Sequence, residues 1–216
     1  MIVGSIKENT ALEKRVSLTP ETAKNIIGLG LKVCIEKNYA IHLGIADDEY
    51  KQIGVEIKDS TSEVFDLSNL IIKVNCPLEN EANDLKENTI LVGMFNPSKN
   101  KNQIDKIINK KIKVFSLELL PRITRAQSMD VLSSQSNLAG YRAVIDSVAE
   151  FEKAVPMMMT AAGTVPAAKI LVIGAGVAGL QAIATAKRLG AIVSATDVRA
   201  ASKEQVESLG GKFLTV

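Results

Sequence analysis

Short apolar runs alternate with polar segments of helical spacing over residues 1–121. The apolar runs, which we predict to be strands, cover residues 1–6, 31–36, 55–57, 69–75, 90–95 and 112–119. A first predicted helix begins at Pro20, where Thr19 is a suitable N-cap. Further predicted helices cover residues 47–53, 78–85 and 101–111. This alternation predicts a parallel, doubly wound α/β domain.

The pattern changes after residue 121. Residues 121–140 are polar, carry charges of both signs and are too irregular for a strand, whereas residues 141–154 have the apolar spacing of a helix. A run of three methionines, residues 157–159, follows between two prolines. We expect these adaptable side chains to pack where two domains meet.

A strand, a glycine turn, a helix and a second strand follow one another in residues 169–197. A further helix over residues 200–209 and a strand over residues 212–216 come after them. The predicted fold is therefore α/β, with two doubly wound, Rossmann-like lobes. Because a full dinucleotide-binding domain has about six strands, we expect the second lobe to be truncated after its third strand.

The glycines of this turn have separate physical roles. Gly174 permits a tight turn, Gly176 lets a pyrophosphate approach the backbone, and Gly179 allows the helix to pack closely on the sheet. The amides around Val177 and Ala178 lie at a helix N-terminus, where unpaired N–H groups and the helix dipole favour a phosphate. The turn therefore predicts the binding of a dinucleotide.

Asp197 stands at the predicted end of the second strand, where a carboxylate can accept hydrogen bonds from both hydroxyls of an adenosine ribose. A 2′-phosphate would be repelled there, so NAD(H) is favoured over NADP(H). Val198 and Arg199 complete this segment, and the arginine weakens the preference because a cation accommodates the phosphate.

A glycine motif alone is weak evidence, because it also occurs in glycine-rich turns and on membrane helices. Here the strand, the helix and the terminal acid fall in register, which favours the dinucleotide. Lys187 and Arg188 interrupt the apolar stretch, which disfavours a membrane helix.

Composition excludes several classes of function. The chain has 216 residues, of which 46% are apolar and 23% charged, as in an ordinary globular protein. A net charge of +2 and 4% aromatic residues give no basis for nucleic-acid binding. Cys34 and Cys76 show no metal-ligand spacing, which predicts reduced thiols and no metal site. With no signal-peptide pattern and no membrane span in the sequence, we expect a cytoplasmic location.

Few side chains are suited to acid–base chemistry. The one histidine, His42, lies far along the chain from the glycine turn, which favours a reaction that moves only a hydride. Arg122, Gln127, Asp130 and Ser133 carry groups that could fix a carboxamide and a pyrophosphate if they face the nucleotide. A polar loop between domains is the alternative, and spacing along the chain does not decide between the two.

Two long segments, residues 122–145 (RITRAQSMDVLSSQSNLAGYRAVI) and 156–213, closely resemble the NAD(H)-binding component of proton-translocating NAD(P) transhydrogenase. Residues 7–8, 13–21 and 69–77 are similar, more loosely, to the same family and to its relative alanine dehydrogenase. The resemblance therefore covers nearly the whole chain.

The resemblance implies that Arg122, Gln127, Asp130 and Ser133 belong to a mobile loop that positions NADH and meets an NADP(H)-binding component. Hydride would pass directly between the two nicotinamides, and a separate membrane component would couple this transfer to proton movement. A homodimer that lies peripherally at the inner membrane is also implied. The implied domains are residues 1–121 (N-terminal α/β domain), 122–155 (nicotinamide-side loop and connecting helix) and 156–216 (first half of the NAD domain).

An alanine dehydrogenase-like oxidoreductase is a second hypothesis. The resemblance places Arg15 and Lys73 where that enzyme grips the pyruvate carboxylate, but its catalytic histidine is replaced in residues 95–97, and its later catalytic aspartate would lie beyond Val216. These departures disfavour amino-acid oxidation, and the two cations would then form ion pairs that support the fold. A third hypothesis is an inactive or partial fragment that acts at most as a nucleotide-binding module.

Overall fold

The computed structural model describes residues 1–215 and separates the chain into two units, Met1–Met129 and Asp130–Val216. The helices of the first unit are Pro20–Gly28 (α1), Asp47–Gln52 (α2), Thr61–Leu67 (α3), Glu79–Asp84 (α4) and Lys101–Asn109 (α5). Its strands are Ile2–Ser5 (β1), Lys32–Glu36 (β2), Glu56–Lys58 (β3), Leu70–Ile72 (β4), Ile90–Gly93 (β5) and Lys113–Ser116 (β6).

The six strands of the first unit form one sheet in the order β3-β2-β1-β4-β5-β6. Every neighbouring pair is parallel. The strand order reverses between β1 and β4, which is the arrangement of a doubly wound sheet. The predicted α/β fold is therefore confirmed.

Apolar side chains cover both faces of this sheet. Val33 and Ile35 of β2 belong to a cluster with residues of α1 and α2, whereas Cys34 between them belongs to a cluster with residues of α3, α4 and α5. Successive strand residues point to opposite faces. The helices therefore lie in two layers, with α1 and α2 on one face and α3 to α5 on the other.

Local signals set several element boundaries. Thr19 caps α1 as predicted, since its side chain accepts a hydrogen bond from the Thr22 N–H at 3.2 Å. The helix α3, which the sequence pattern did not suggest, begins after Ser60, whose hydroxyl accepts from the Glu63 N–H at 3.3 Å. The strand predicted over residues 69–75 is shorter, because the Val74 N–H binds the Glu8 carboxylate instead of a strand partner.

The second unit contains three helices, Val131–Glu150 (α6), Val177–Arg188 (α7) and Ser202–Ser208 (α8). Its strands are Met158–Thr160 (β7), Gly163–Val165 (β8), Lys169–Ile173 (β9), Ile192–Thr196 (β10) and Lys212–Phe213 (β11). Strands β9 to β11 form a parallel sheet in the order β11-β10-β9. Helices α6, α7 and α8 pack on one face of it, around Ile183, Val193, Ala195 and Val206.

Helix α6 differs from the prediction. It begins at Val131 and not at residue 141, because the Asp130 side chain caps it by accepting from the Ser133 N–H. A polar surface does not prevent a helix that is capped and packed on a neighbour.

The methionine run also differs from the prediction. Met158 and Met159 lie on the antiparallel ribbon of β7 and β8, and Met157, Met158 and Met159 are 60%, 51% and 73% exposed. The expected packing of these side chains is therefore wrong.

Candidate functional site

The turn between β9 and α7 is shaped by its backbone. Gly174 has a φ of 96°, in the left-handed region, and its N–H donates to the Thr196 carbonyl at 2.8 Å. Helix α7 starts after Gly176, and among the described residues no side chain caps its first turn. The N–H groups of that turn are therefore available to an anion, which the helix dipole favours.

Three glycines around this turn differ in the space beside them. A Cβ at Gly179 would collide with the carbonyl oxygen of Gly174, and a Cβ at Gly140 would collide with that of Ala178. A Cβ at Gly176 would meet no protein atom within 4 Å. Gly179 and Gly140 are thus required by packing, whereas Gly176 borders open space that a ligand can use.

Gly140 was not identified from the sequence. It lies inside α6 and lets this helix approach the first turn of α7. A glycine in a helix interior is unfavourable compared with alanine. Its presence within a helical stretch is the signal that could have pointed to a close contact.

The carboxylate of Asp197 is tied to the glycine turn. Its Oδ2 accepts a hydrogen bond from the Ala175 N–H at 2.7 Å, and its Oδ1 accepts from the Arg199 N–H at 2.8 Å. Hydrogen bonds from the Arg199 side chain and from these two backbone groups hold the pKa of Asp197 well below its usual range. A permanent negative charge therefore lies beside the turn.

Arg199 covers this carboxylate. Its Nε lies 2.9 Å from Asp197 Oδ1 and its Nη2 lies 3.1 Å from Asp197 Oδ2. The Asp197 side chain is 6% exposed and that of Arg199 is 62% exposed. Val198 between them is almost fully exposed. The structure thus brings Gly174, Asp197 and Arg199 into one corner of the second unit.

The four polar residues predicted to act on the nicotinamide fall in two places. Arg122 and Gln127 are exposed near the end of the first unit, and Gln127 lies in the 3₁₀ segment Thr124–Met129. Asp130 and Ser133 lie at the start of the second unit, where the Ser133 hydroxyl donates to Asp130 Oδ2 at 2.7 Å. The structure therefore joins Asp130 with Ser133 in a helix cap.

A buried cation lies in the first unit. Lys73 is 3% exposed, and its Nζ lies 2.8 Å from Glu81 Oε2 and 3.6 Å from Glu8 Oε2. Its positive charge is therefore compensated by two carboxylates of the same unit.

The other cation considered for a substrate carboxylate is also paired. Arg15 donates from Nε to Glu13 Oε1 at 2.8 Å and from Nη2 to Glu13 Oε2 at 2.7 Å. The Arg15 guanidinium lowers the pKa of Glu13 to about 2. His42 is exposed, and its Nε2 lies 2.8 Å from the Lys14 carbonyl oxygen.

Within residues 1–215, no three His, Cys, Asp or Glu side chains are grouped so that they could hold a metal ion. Cys34 and Cys76 are free thiols, and burial raises the pKa of Cys76 to about 11. Over the same residues, none of the helices has both the length and the apolar character needed to cross a membrane.

Models of two adjoining protein domains match the chain. Residues 4–139 match the N-terminal domain of alanine dehydrogenase/PNT, and residues 143–216 match its C-terminal domain. The chain belongs to the alanine dehydrogenase/PNT family. The predicted resemblance is therefore confirmed at the level of the family.

Curated relatives carry transhydrogenase names. The chain is 51% identical over 221 residues to the first part of NAD(P) transhydrogenase subunit alpha from Rhodospirillum rubrum, covering 100% of this chain and 58% of the relative. It is 47% identical over 219 residues to the protein of the same name from Rickettsia prowazekii, covering 100% and 57%. The chain thus spans less than two thirds of these relatives.

Solved structures support the fold. A transhydrogenase from Sinorhizobium meliloti matches with a TM-score of 0.95 and 49% identity, covering 99% of this chain and 64% of that one. An L-alanine dehydrogenase matches with a TM-score of 0.85 and 23% identity, covering 100% and 61%. The second likeness shows the fold alone.

Proposed function

We propose that this chain is the NAD(H)-binding part of a transhydrogenase, which passes hydride from NADH to NADP+ held on a partner component. The observation that carries the proposal is the hydrogen bond from the Ala175 N–H to Asp197. It joins the ribose-binding acid to the turn that would hold the pyrophosphate. The names of the relatives support the same interpretation.

The residues of the second unit fit the adenosine diphosphate half of the dinucleotide. The open space at Gly176 and the uncapped first turn of α7 suit a pyrophosphate. Val177, Ala178 and Gly179 contribute this turn, and Asp197 supplies acceptors for the ribose, with Val198 and Arg199 beside it. The cofactor supplies the hydride, and the protein orients it and excludes water.

We further propose that Arg122, Gln127, Asp130 and Ser133 order the nicotinamide half. Hydride transfer between two nicotinamides needs alignment and no proton donor. This accords with the sequence, whose one histidine is exposed and bonded to a backbone carbonyl. The functional parts of the chain would be residues 1–121, 122–155 and 156–216.

The proposal implies partners. Names that denote a subunit alpha, or the first section of one, accord with an NADP(H)-binding component and a proton-translocating membrane component. In that assembly the chain would lie on the cytoplasmic side, peripheral to the inner membrane. We also propose a homodimer, because the exposed ribbon of β7 and β8 presents apolar side chains that a second copy could cover.

Nucleotide binding tests the proposal directly. We expect saturable NADH binding in a fluorescence titration, weaker binding of NADPH, and a loss of NADH binding of tenfold or more in Asp197→Ala. Asp146→Ala serves as the matched control, because Asp146 is an exposed, arginine-paired aspartate on α6. A chain that melts cooperatively but binds neither nucleotide would contradict the proposal and leave a nucleotide-free fragment.

The likeness to alanine dehydrogenase makes amino-acid oxidation the second candidate. Arg15 and Lys73 are present, but Glu13 neutralises one, and Glu81 and Glu8 the other. Phe95 is fully buried in the segment where that enzyme's histidine was expected. We therefore expect no ammonia-dependent reduction of pyruvate by NADH, measured as loss of NADH absorbance; activity would favour this candidate.

A further inference from the structure

Asp197 has no acceptor position left for a ligand in this structure. A carboxylate offers about four hydrogen-bond sites. Oδ1 accepts from the Arg199 N–H at 2.8 Å and from Arg199 Nε at 2.9 Å. Oδ2 accepts from the Ala175 N–H at 2.7 Å and from Arg199 Nη2 at 3.1 Å.

The four donors differ in how easily they can move away. The two N–H groups belong to the backbone of the turn and of the strand end, so they are fixed by the fold. The guanidinium of Arg199 sits on a side chain that is 62% exposed, so rotation about its side-chain bonds can release it into solvent. A ribose diol needs two acceptor sites, and the guanidinium occupies two.

We infer that Arg199 closes the ribose subsite in the free protein and competes with the ribose hydroxyls of NADH for Asp197. This inference rests on the proposed function. The displaced guanidinium is a cation beside the ribose 2′ position, where it attracts a 2′-phosphate that Asp197 alone would repel. Arg199 therefore both weakens NADH binding and narrows the preference for NADH over NADPH.

Titrations of NADH and NADPH against three variants test this role. We expect Arg199→Ala to bind NADH about 3- to 10-fold more tightly and NADPH more weakly than the unmodified chain. Arg199→Lys keeps the charge but cannot form the two-point contact. It should bind NADH more tightly while retaining NADPH binding. Lys203→Ala, an exposed cation on α8 paired with Glu207, should change neither affinity.

A second measurement does not depend on the stability of a variant. In the unmodified chain, the Arg199 Nε–H signal in a nitrogen-15 NMR spectrum should be protected from exchange with water. Saturation with NADH should remove that protection as the guanidinium leaves Asp197. Protection that is unchanged in the bound state would overturn the inference.

The outcomes separate this inference from the proposed function. NADH binding that is unchanged or weaker in Arg199→Ala, with the unmodified chain binding NADH, overturns the role of Arg199 alone. Binding of neither nucleotide by any of the four proteins overturns the proposed function, and the inference falls with it. Binding of NADH by Arg199→Ala alone supports the inference in its strongest form.

Discussion

Charged side chains of the first unit find their partners within that unit. Arg15 binds Glu13 through two short hydrogen bonds, and Lys73 is enclosed by Glu81 and Glu8. The Arg15 pair is partly exposed, with 43% of the arginine side chain accessible. The Lys73 group is buried. The two therefore respond differently to pH and to mutation.

Acid should weaken the protein partly through Glu13. Its pKa falls from 4.5 to about 2 on folding. The stabilisation is therefore complete above the unfolded-state pKa and is lost as pH falls toward 2. We expect Glu13→Gln to cost up to about 1 kcal/mol at neutral pH, as for exposed ion pairs, and to flatten the decline in acid. Urea unfolding across this pH range measures it. Asp105→Asn, an exposed carboxylate on α5, is the control; equal pH profiles would contradict the prediction.

Lys73 should matter far more for stability. Lys73→Met removes the cation and leaves two poorly exposed carboxylates beside each other, which costs about 3–5 kcal/mol for a broken buried pair. Urea unfolding at neutral pH gives the free energy of unfolding. Lys99→Met, an exposed lysine of the same unit, should cost less than about 0.5 kcal/mol. A loss below about 1 kcal/mol in Lys73→Met would show that the pair is not needed for folding.

At the scale of elements, the turn from β9 to α7 separates binding from folding. A Cβ at Gly176 meets open space, whereas a Cβ at Gly179 collides with the Gly174 carbonyl. We expect Gly176→Ala to keep the melting temperature within a few degrees but to weaken NADH binding at least tenfold. Gly179→Ala should lose more than about 2 kcal/mol, as overpacked sites do. Similar melting temperatures for both variants would contradict this assignment.

The contact between α6 and α7 makes a prediction of opposite sign to helix propensity. Alanine in place of glycine normally stabilises a helix by about 0.5–1 kcal/mol. Gly140→Ala should instead destabilise by about 1–3 kcal/mol, because the added methyl group collides with the Ala178 carbonyl. Gly28→Ala in α1, where a Cβ meets nothing within 4 Å, is the matched control. Thermal or urea unfolding of both variants decides; stabilisation by Gly140→Ala would refute the contact.

At the scale of the whole molecule, the two units differ in how well their sheets are covered. The first has helices and buried clusters on both faces of six strands. In the second, Leu171, Ile173 and Ile192 are 55%, 80% and 54% exposed, although their strands belong to the sheet. The apolar surface of the second unit suits contact with further protein.

The first unit should fold by itself. A chain of residues 1–129 retains the complete six-stranded sheet and both of its apolar clusters. We expect a single cooperative thermal transition with loss of far-ultraviolet circular dichroism, since small domains with a closed core unfold in one step. A non-cooperative melt would show that its core depends on residues after 129.

Much of the architecture was predictable because it repeats a simple rule. Buried parallel strands are short apolar runs, and each is followed by a helix. Helix α3 escaped the prediction because its start depends on the single hydroxyl of Ser60. The early start of α6 escaped it because a polar stretch shows little periodicity even when Asp130 caps it.

The sequence by itself determined the α/β class, the glycine turn and the acid at the end of β10, because each depends on residue types at fixed local spacing. Only the tertiary structure decided that Arg199 covers Asp197, that Gly140 meets α7, and that Lys73 is enclosed by two carboxylates. The difference has one physical reason. Contacts between atoms depend on how chain segments pack and rotate, and residue spacing along the chain does not specify that.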